Sequence, residues 1–547
     1  MKTIIIGGVA GGASAAARLR RLDEHAEIIL FEQGNNISYA NCGLPYYIGD
    51  VIKDEGELLL QTPESFYARF RVQVRTRSRV LSIDRQNKTV LVHKTDTREE
   101  YTEGYDNLIL STGTKAMFPD IPGATLPGVY SLRTVEDASL LRKLAENHQC
   151  EQAVILGGGF VGIELAENLS SQGLKVTVVE ASQQILPQFD PEISSILQIR
   201  LEKADIRICL HTRAARIDPA EIGYTVTYTN GTVQACDFVV MAAGVHPESQ
   251  LAADARLVLD DRGSIVTSDG LVTSDPDIYA VGDVMQSTHD ITGIKSMYPL
   301  AGPANKQGRS AANNIAGNSD MFSGTLASSV IKIFDVTAAC SGATERSLTQ
   351  SNIQYEKIYL SPSNHAGYYP GALPITMKLL FALDGKILGV QCVGGTGTEK
   401  RVDIIATAMK YHGTVYDLTR LDLCYAPPYS SAKDPVNMAG YIAENILSDL
   451  APVKHWDYLE NLGEGTLLVD VRTAGEYAGG HLENSVNIPV DALRGRLDEL
   501  PRDRELLIYC QVGLRGYIAQ RILMQEGFDR VFNLSGGYRL LQITGRI

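Results

Sequence analysis

Two glycine-rich turns, residues 7–12 and 157–162, are the first segments of this chain whose residue types suggest chemistry. Small residues let a backbone approach a pyrophosphate closely, and a helix that begins at such a turn directs its amides and dipole at the anion. Glu32 follows the first turn and Glu180 the second, each about twenty residues on, where a carboxylate can accept hydrogen bonds from a ribose. Both turns therefore indicate dinucleotide binding.

The two turns differ in how closely they follow the G-x-G-x-x-G pattern. The second turn obeys it, whereas Val9 occupies the place of the middle glycine in the first. The assignment of the first turn depends on its context, a strand at Lys2–Ile6 and a helix at about residues 13–22. No arginine stands among the four residues after Glu180. Because a carboxylate accepts from a 2′-hydroxyl and repels a 2′-phosphate, the second unit favours NADH over NADPH.

The strands and helices around each turn are predicted to form a βαβ unit. The first unit continues into a strand at Glu27–Phe31, and the second consists of a strand at 153–156, a helix at 163–172 and a strand at Lys175–Val179. A later segment, residues 277–281, is predicted to be a strand that ends in a Gly-Asp turn. Two βαβ units of this kind predict two bound dinucleotides.

Length and composition limit the remaining possibilities. The chain has 547 residues, which at roughly 150 residues per domain predicts three or four domains. Its net charge of −14 provides no electrostatic case for nucleic acid, and no segment has the ~20 consecutive apolar residues of a membrane span. Eight scattered cysteines without a CxxC pair indicate neither a zinc site nor a local redox disulfide. Scattered thiols and no recognisable export signal favour a cytoplasmic location.

Segments 38–46 and 279–283, together with the two dinucleotide units, resemble the coenzyme A-disulfide reductase family of two-dinucleotide flavin reductases. The resemblance covers about residues 1–445. It implies FAD at the first unit, NADH at the second, and a single catalytic cysteine, Cys42, that forms a mixed disulfide with coenzyme A. Positions three and five away from Cys42, where relatives with a flavin-proximal disulfide have its second cysteine, hold none.

The resemblance also implies ligand-binding residues, position by position. The residues expected at FAD are Gly7, Gly8, Val9, Ala10, Gly11, Gly12, Glu32, Thr112, Gly113, Gly282 and Asp283. Those expected at NADH are Gly157, Gly159, Phe160, Gly162, Glu180 and Gly244. Those expected at coenzyme A are Ser14, Arg18, Arg21, Ser38, Asn41, Arg71, Asn305 and Lys433. Arg71 lies one position from the family's basic residue, where this chain has Phe70.

Two tyrosines of the third region are implied as catalytic residues. In the family, the tyrosine of a Tyr-Ala-Pro-Pro loop, Tyr425 here, reaches the active site of the partner subunit, as does a second tyrosine of the same domain. The second is Tyr368 or Tyr369, of which Tyr368 is favoured. A phenol suits protonation of a departing thiolate, although such a tyrosine can also be a core or interface aromatic. The resemblance thus implies a homodimer with shared active sites.

A separate α/β pattern begins at Trp456 and resembles a rhodanese domain over residues 456–547. Strands are predicted at 466–471, 487–489 and 505–510, and a helix at about Leu514–Gln525. Cys510 follows a strand and begins a loop that opens this helix, so backbone amides and the helix dipole would lower its pKa. Four residues separate Cys510 from Arg515, as in sulfurtransferases, whereas related cysteine phosphatases have five. The resemblance implies that Cys510 carries sulfur as a persulfide, unless the domain is inactive.

The expected architecture is α/β, with two Rossmann-like dinucleotide-binding domains, an α+β dimerisation domain and a C-terminal α/β rhodanese domain. The expected boundaries are 1–112 and 245–325 for FAD, 113–244 for NAD, 326–446 for dimerisation, 447–455 for a linker and 456–547 for the rhodanese. The expected function is NADH-dependent reduction of coenzyme A disulfide, coenzyme A persulfide or polysulfide, with small-molecule substrates and no nucleic-acid or membrane partner. Two alternatives are an NADH oxidase or peroxidase that cycles Cys42 through a sulfenic acid, and a sulfurtransferase regulated by the flavin region.

Overall fold

A computed structural model describes residues 1–147, 149–463 and 465–545. They divide into two compact units. The first unit comprises Met1–Leu186 and Leu201–Ala327, and the second comprises Pro187–Arg200 and Ser328–Ile547. The fold class expected from the sequence is confirmed by the parallel sheets of both units and by the antiparallel sheet of the second.

The first sheet of the first unit is parallel and carries the first glycine-rich turn. Its strands lie in the spatial order Ile278–Ala280, Asn107–Leu110, Lys2–Ile6, Glu27–Phe31 and Gln73–Arg75. The strands predicted at Lys2–Ile6 and Glu27–Phe31 are confirmed. They are continuous apolar runs because helices and loops cover both faces of a parallel sheet.

The helix after the first turn spans Ala10–Leu22 and packs against a second helix, Ala301–Ile315. It begins three residues before the predicted position, since the small residues of the turn form its first helical turn. Cys42 lies in a short 3₁₀ segment, Asn41–Gly43, immediately before the helix Leu44–Ile48. The other elements around this sheet are the helices Pro63–Phe70 and Gln250–Asp254, the 3₁₀ segments Glu55–Leu58 and Gly282–Val284, and the antiparallel strands Ser78–Asp84, Thr89–Lys94, Glu100–Gly104, Ser287–Thr288 and Lys295–Ser296.

The second sheet of the first unit is also parallel and carries the second glycine-rich turn. Its strands lie in the order Arg207–Cys209, Lys175–Val179, Gln152–Leu156, Phe238–Met241 and Val129–Tyr130. The helix after the turn is Phe160–Ser171, again starting three residues before its predicted position. The remaining elements are the helix Val135–Glu146, the antiparallel strands Ala214–Pro219, Tyr224–Tyr228 and Val233–Cys236, and the strand pair Thr114–Ala116 and Val245–Pro247. The helix Pro191–Glu202 spans the boundary between the two units.

The second unit begins with an antiparallel five-stranded sheet. Its strands lie in the order Ser329–Ile333, Val336–Gly342, Ile387–Gly394, Ile375–Phe381 and Glu356–Leu360. Its helices are Glu345–Gln350, Thr398–Lys410, Val415–Leu418 and Pro435–Leu447. Lys378 is fully buried in this sheet, with Asp190 at 2.9 Å and Glu192 at 3.2 Å from its ammonium nitrogen. Burial lowers the pKa of Lys378, but Tyr359 and the carboxylates of Glu192, Asp190 and Glu345 together raise it well above its usual value, so the buried lysine stays charged.

The last sheet is parallel, with strands in the order Val453–Lys454, Val531–Leu534, Leu506–Tyr509, Leu467–Asp470 and Val486–Asn487. Its helices are Ala474–Ala478, Leu514–Gln525 and Gly537–Ile543, with 3₁₀ segments at Trp456–Asn461, Leu493–Gly495 and Leu497–Glu499. The helix predicted at Leu514–Gln525 is confirmed. The edge strand Val453–Lys454 lies inside the segment that was expected to be a linker. Its backbone pairs with the strand Val531–Leu534, so these two residues are part of the last sheet.

Side chains at the start of the last domain anchor it to the rest of the second unit. The indole of Trp456 donates to the carboxylate of Glu192 at 3.0 Å, and His455 Nε2 lies 2.7 Å from a carboxylate oxygen of Glu356. Across residues 1–147, 149–463 and 465–545, no helix is both long and apolar enough to cross a membrane.

Candidate functional site

The first glycine-rich turn has the geometry of a backbone cradle. Gly7 has a φ of 101°, and a Cβ there would lie 2.1 Å from the nearest backbone oxygen. A Cβ on Gly12 would lie 1.9 Å from the carbonyl oxygen of Gly7. Only glycine fits at these positions, and the turn stands at the N-terminus of Ala10–Leu22, where amides can bind a pyrophosphate. The carboxylate of Glu32 accepts a hydrogen bond of 3.0 Å from the amide of Gly8.

The other residues expected at FAD meet the first turn at one edge of the sheet. Thr112 and Gly113 follow one neighbouring strand, and Gly282 and Asp283 follow the next, both on the same side of Lys2–Ile6. The carboxyl ends of parallel strands form a common edge, where such folds bind nucleotides. Burial raises the pKa of Asp283.

The second glycine-rich turn repeats this cradle. A Cβ on Gly157, whose φ is 121°, would lie 2.2 Å from a backbone oxygen, and one on Gly162 would lie 2.1 Å from the carbonyl oxygen of Gly157. Gly159 caps the helix and has no protein atom within 4 Å of the position that a Cβ would take. Glu180 accepts a 2.8 Å hydrogen bond from the amide of Gly158, as Glu32 does in the first turn. Both turns thus fit a dinucleotide.

Glu180 and the remaining residues expected at NADH lie at the ends of the elements around the second turn. The second carboxylate oxygen of Glu180 accepts from the amide of Ser182 at 2.8 Å and from the hydroxyl at 2.7 Å. Phe160 is the first residue of the helix, and Gly244 adopts a φ of 114° beyond the strand Phe238–Met241. The carboxylate of Glu180 therefore stands in a fixed position at the end of its strand.

Cys42 is an exposed free thiol. All eight cysteines lie in the described part of the chain, and all are free. Cys42 therefore forms no disulfide with another cysteine in the described part of the chain. The side-chain oxygen of the neighbouring Asn41 is buried and has no hydrogen-bond partner among the described residues.

A second carboxyl group, Glu164, acts on Cys42 and was not found from the sequence. Although Cys42 lies at the surface, the protein around its sulfur removes part of the solvent and so raises its pKa, and the carboxyl groups of Glu164 and Asp283 raise it further. Glu164 lies on the helix Phe160–Ser171 and accepts a hydrogen bond of 3.2 Å from the hydroxyl of Tyr46. Burial raises the pKa of Glu164 to about 7, against the effect of the Tyr46 hydrogen bond. Tyr46 and Glu164 are 118 positions apart in sequence, so no local pattern could predict their contact.

A cavity of about 330 Å³ opens beside the first helix. Its lining residues are Ala13, Ser14, Ala17, Arg18, Arg21, Ser38, Phe66, Asn305 and Arg309. Five of the eight residues expected at coenzyme A therefore share one cavity: Ser14, Arg18, Arg21, Ser38 and Asn305. Ser14 donates to the side-chain oxygen of Asn305, and Arg18 donates to Asn313 at 2.8 Å.

Arg309 adds a third guanidinium group to this cavity and was missed from the sequence. It lies on the helix Ala301–Ile315, which packs against the helix that carries Arg18 and Arg21. Position on a packed helix pair is a tertiary property, and the only sequence signal was its spacing of four from Asn305, which places both on one helix face.

The other three residues expected at coenzyme A do not line this cavity. Arg71 ends the helix Pro63–Phe70 in a left-handed conformation, and its guanidinium lies 5.3 Å from the centre of the Tyr67 ring. Asn41 adjoins Cys42, as its position in the sequence requires. Lys433 is exposed and belongs to the second unit.

Tyr368 and Tyr425 form a pair on the surface of the second unit, and we call them the phenol pair. Their hydroxyl oxygens lie 2.9 Å apart, and this hydrogen bond raises the pKa of Tyr368. Both side chains are exposed, Tyr368 by 77% and Tyr425 by 48%. Tyr369 instead packs edge-on against His365, with ring centres 5.6 Å apart. The geometry therefore favours Tyr368 over Tyr369 as the companion of Tyr425.

Cys510 stands where the strand Leu506–Tyr509 ends and the loop to the helix Leu514–Gln525 begins. Its sulfur accepts a hydrogen bond of 3.1 Å from the amide of Gly513. Gly513 has a φ of 108°, which turns its amide toward the sulfur. The loop thus presents backbone donors to Cys510.

Arg515 completes this loop and is fixed by an ion pair. Its two terminal nitrogens each donate to one carboxylate oxygen of Glu476 at 2.7 Å. The hydrogen bonds from Arg515, together with those from Thr473, lower the pKa of Glu476 to about 2. Glu476 is therefore ionised throughout the physiological range and holds the guanidinium beside the loop.

Family models match most of the chain. A model described as pyridine nucleotide-disulphide oxidoreductase matches residues 1–308, and the dimerisation domain of the same group matches residues 328–435. A rhodanese-like domain matches residues 456–543. These matches fall in the regions where the sequence indicated a flavin reductase and a rhodanese.

Individual proteins are similar over most or all of the chain. A coenzyme A disulfide reductase of Staphylococcus epidermidis is 35% identical over 449 residues, which is 81% of this chain and all of that protein. The crystal structure of reduced Bacillus anthracis CoADR-RHD is 43% identical, with a TM-score of 0.97 over 99% of this chain and 98% of that one. A NAD-dependent persulfide reductase from A. fulgidus is 34% identical, with a TM-score of 0.93 over 99% of this chain and all of that one.

Proposed function

The chain belongs to the pyridine nucleotide-disulphide oxidoreductase family, and from that premise we propose that it uses NADH and FAD to reduce the disulfide or persulfide of coenzyme A through Cys42. The observation that carries the proposal is the cavity whose wall contains Ser38, four residues before Cys42, together with three arginines. Several guanidinium groups suit a substrate with several phosphates. The coenzyme A disulfide reductase and the persulfide reductase among the relatives support the same substrate class.

The two glycine-rich turns fit the cofactors that this family uses. The amides of each turn would bind a pyrophosphate, and Glu32 and Glu180 would accept hydrogen bonds from the two adenosine riboses. Bound FAD supplies an acceptor for the hydride of NADH and a donor of an electron pair to an adjacent disulfide. A side chain at Gly7 or Gly157 would collide with a backbone oxygen, so each turn requires glycine at this position.

Cys42 is the nucleophile of the proposed reaction. With a persulfide, the Cys42 thiolate attacks the sulfur bonded to carbon in coenzyme A, the sulfur–sulfur bond breaks, and hydrosulfide leaves. With coenzyme A disulfide, the same attack releases one coenzyme A thiolate. Either route leaves one mixed disulfide between Cys42 and coenzyme A, and two electrons then reduce it to two thiolates. No second cysteine of the protein is required, which agrees with the free state of Cys42.

The groups around Cys42 determine whether it is a thiol or a thiolate. Burial, Glu164 and Asp283 raise its pKa, so the resting group is a thiol that must lose a proton before it attacks. Glu164 has a pKa of about 7 and can therefore take up or release a proton near neutrality. We assign to Glu164 the exchange of this proton with solvent, through the hydroxyl of Tyr46 that contacts it.

The phenol pair is proposed to act in the partner subunit's site. The exposure of both tyrosines leaves their hydroxyl groups free to meet a second copy, and residues 328–435 match a dimerisation domain. A phenol keeps its proton at neutral pH, so the pair can protonate a departing thiolate.

Cys510 is proposed to carry sulfane sulfur. Attack of its thiolate on the outer sulfur of a persulfide forms a new sulfur–sulfur bond and releases the donor thiolate. The amide of Gly513 stabilises negative charge at Cys510, and Arg515 lies beside the loop. The rhodanese domain would then deliver sulfur to coenzyme A, whose persulfide is a substrate of Cys42.

Mass spectrometry of the denatured protein tests the central step. FAD-loaded protein incubated with coenzyme A disulfide should carry one coenzyme A adduct on Cys42, and dithiothreitol should remove it. The variant Cys42→Ser should carry none and should lose turnover with NADH. Cys150→Ser, which replaces another free cysteine, should keep both the adduct and the activity.

Three outcomes would contradict the proposal. Full turnover by Cys42→Ser would exclude Cys42 as the nucleophile. A sulfenic acid on Cys42, with rapid oxygen consumption and no adduct, would favour an NADH oxidase. Sulfur transfer that is independent of NADH, with no disulfide reduction, would favour a sulfurtransferase.

A further inference from the structure

Arg401 lies at the base of the two loops that carry the phenol pair. It is near the start of the helix Thr398–Lys410 and only 1% of it is exposed. Burial of a guanidinium is costly unless acceptors surround it, so its contacts identify what it organises. One terminal nitrogen donates to the carbonyl oxygen of Gly397 at 2.9 Å, within its own helix.

The other terminal nitrogen of Arg401 holds the loop of Tyr368. It lies 2.9 Å from the carbonyl oxygen of Asn364. Asn364 in turn closes this loop, since its amide donates to the carbonyl oxygen of Leu373 at 2.8 Å and its side chain accepts from the amide of Leu373 at 2.9 Å. Arg401 therefore fixes the base of the loop at whose tip Tyr368 stands.

The same nitrogen of Arg401 also holds the loop of Tyr425. It lies 3.1 Å from the hydroxyl of Ser430 and 3.1 Å from the carboxylate of Asp434. The Ser430 hydroxyl donates to Asp434 at 2.5 Å, and Asp434 accepts from the amide of Val436 to cap the helix Pro435–Leu447. Ser430 and Asp434 are both buried, so this base is fixed by charge and hydrogen bonds together.

The two loops also touch directly next to Arg401. The amide of Ala366, two residues before Tyr368, lies 3.0 Å from the carbonyl oxygen of Ser430. Tyr368 is mostly exposed and about half of Tyr425 is exposed, so side-chain packing holds the phenol pair only in part. The distance between the two hydroxyl groups must therefore be set by the bases of the loops, and those bases meet at Arg401.

We propose that Arg401 is a positioning residue that holds Tyr368 and Tyr425 at hydrogen-bonding distance for the reductase reaction. The proposal rests on the function proposed above for the phenol pair. Arg401 itself contacts no substrate; it acts through the main chain of both loops. Its charge is balanced by Asp434, so a lysine at this position keeps a cation beside that carboxylate. A lysine lacks the planar guanidinium, whose other terminal nitrogen is anchored on Gly397 and so fixes the direction of the nitrogen that contacts both loops.

A double-mutant cycle in the FAD-loaded, full-length protein tests this role. Arg401→Lys should lower kcat for coenzyme A disulfide by about tenfold, with the KM for NADH unchanged, because proton donation contributes 10²–10⁴-fold in such reactions and a misplaced donor loses part of it. Tyr425→Phe should lower kcat at least as much. Arg401→Lys in the Tyr425→Phe background should cost less than twofold more.

The results separate the inference from the function on which it rests. If the double variant loses kcat by the product of the two single losses, Arg401 does not act through Tyr425 and the inference is wrong. The proposed role of the phenol pair is unaffected by that result. If Tyr425→Phe retains full kcat, the proposed role of the phenol pair is wrong and the inference falls with it. A merely structural role for Arg401 would lower stability without this non-additivity.

Two further variants guard against a simple loss of folding. Ser430→Ala removes one hydroxyl from the base of the Tyr425 loop and should lower kcat about threefold, again without a further loss in the Tyr425→Phe background. It replaces Arg401→Lys in the cycle if that variant does not fold. Lys357→Met removes another buried cation, paired with Glu345 in the same domain at 2.9 Å, and should keep kcat within twofold. An equal loss of kcat in Lys357→Met would overturn the proposal.

Discussion

At the scale of single residues, we propose that the charge of Glu180 makes the site prefer NADH to NADPH. Its carboxylate is fixed by the amides of Gly158 and Ser182, so it cannot turn away from a 2′-phosphate. We expect kcat/KM to be at least about tenfold higher with NADH than with NADPH, since repulsion of this kind costs more than about 1 kcal/mol. Glu180→Ala should narrow the ratio, measured by steady-state kinetics, whereas exposed Glu151→Ala should leave it unchanged. Equal values for both cofactors in the unaltered protein would contradict this prediction.

Glu164 predicts a pH dependence of stability. Its pKa rises from an ordinary value near 4.5 to about 7 in the folded protein, first because of burial. Between these values the folded state holds a proton that the unfolded state has lost, so this group makes the protein less stable as pH rises from 4.5 to 7. The full penalty, up to about 3 kcal/mol, is present above pH 7 and absent below pH 4.5.

Thermal unfolding of the FAD-loaded protein measures this effect. Glu164→Gln keeps an acceptor for the Tyr46 hydroxyl but carries no charge, so its Tm should exceed that of the unaltered protein by more at pH 8 than at pH 5. Glu24→Gln, at an exposed position, should give the same difference at both values. A Glu164→Gln difference that does not change with pH would show that this carboxyl group titrates normally.

At the level of elements, substitutions at two glycines of the second glycine-rich turn should affect NADH binding and folding separately. Gly159 has no protein atom near its missing side chain, whereas a Cβ on Gly157 would collide with a backbone oxygen. We therefore expect Gly159→Ala to keep the Tm and FAD content but to raise the KM for NADH at least about tenfold, because the methyl group occupies the space that a pyrophosphate approaches. Gly157→Ala should instead lower the free energy of unfolding by about 2 kcal/mol or more. Unchanged NADH affinity in Gly159→Ala would place the dinucleotide elsewhere.

At the scale of the whole molecule, the two sulfur centres should be separable. Cys510→Ser should abolish sulfur transfer from thiosulfate or a persulfide donor and leave the reduction of coenzyme A disulfide intact, because Cys42 and both nucleotide turns are unchanged. Cys42→Ser should do the reverse. Both activities are measured on the same folded, flavin-loaded preparations. Loss of both activities in each variant would mean that the two centres form one inseparable reaction.

Shared active sites in a homodimer predict complementation between subunits. Mixing Cys42→Ser with Tyr425→Phe subunits gives heterodimers in which one site has both lesions and the other is intact. With random exchange, half of the dimers are mixed, so about a quarter of the sites should be active. Activity of the mixture is compared with that of each variant alone. Demonstrably exchanged subunits that recover nothing would show that each site uses its own tyrosine.

The sequence by itself determined the local structure, namely strands, turns and helices. The strand Lys2–Ile6 and the helix Leu514–Gln525 are confirmed at their predicted bounds, since a run of apolar residues or a helical period is written within a few turns of chain. The two glycine-rich turns with Glu32 and Glu180 were equally readable, because backbone crowding admits only glycine at fixed spacing. The helices after both turns start three residues earlier than predicted, because the residues that close each glycine-rich turn also form the first turn of its helix.

Only the tertiary structure decided which distant residues share a site. Arg309 joins the cavity because its helix packs on the first one, and Glu164 acts on Cys42 because two βαβ units meet. The contact between Tyr368 and Tyr425, and those of Arg401 with Asn364 and Asp434, join two loops that lie far apart in sequence and close in space. No local pattern encodes such contacts, because they arise from the packing of whole elements, whereas strand, turn and helix are favoured by neighbouring residues alone.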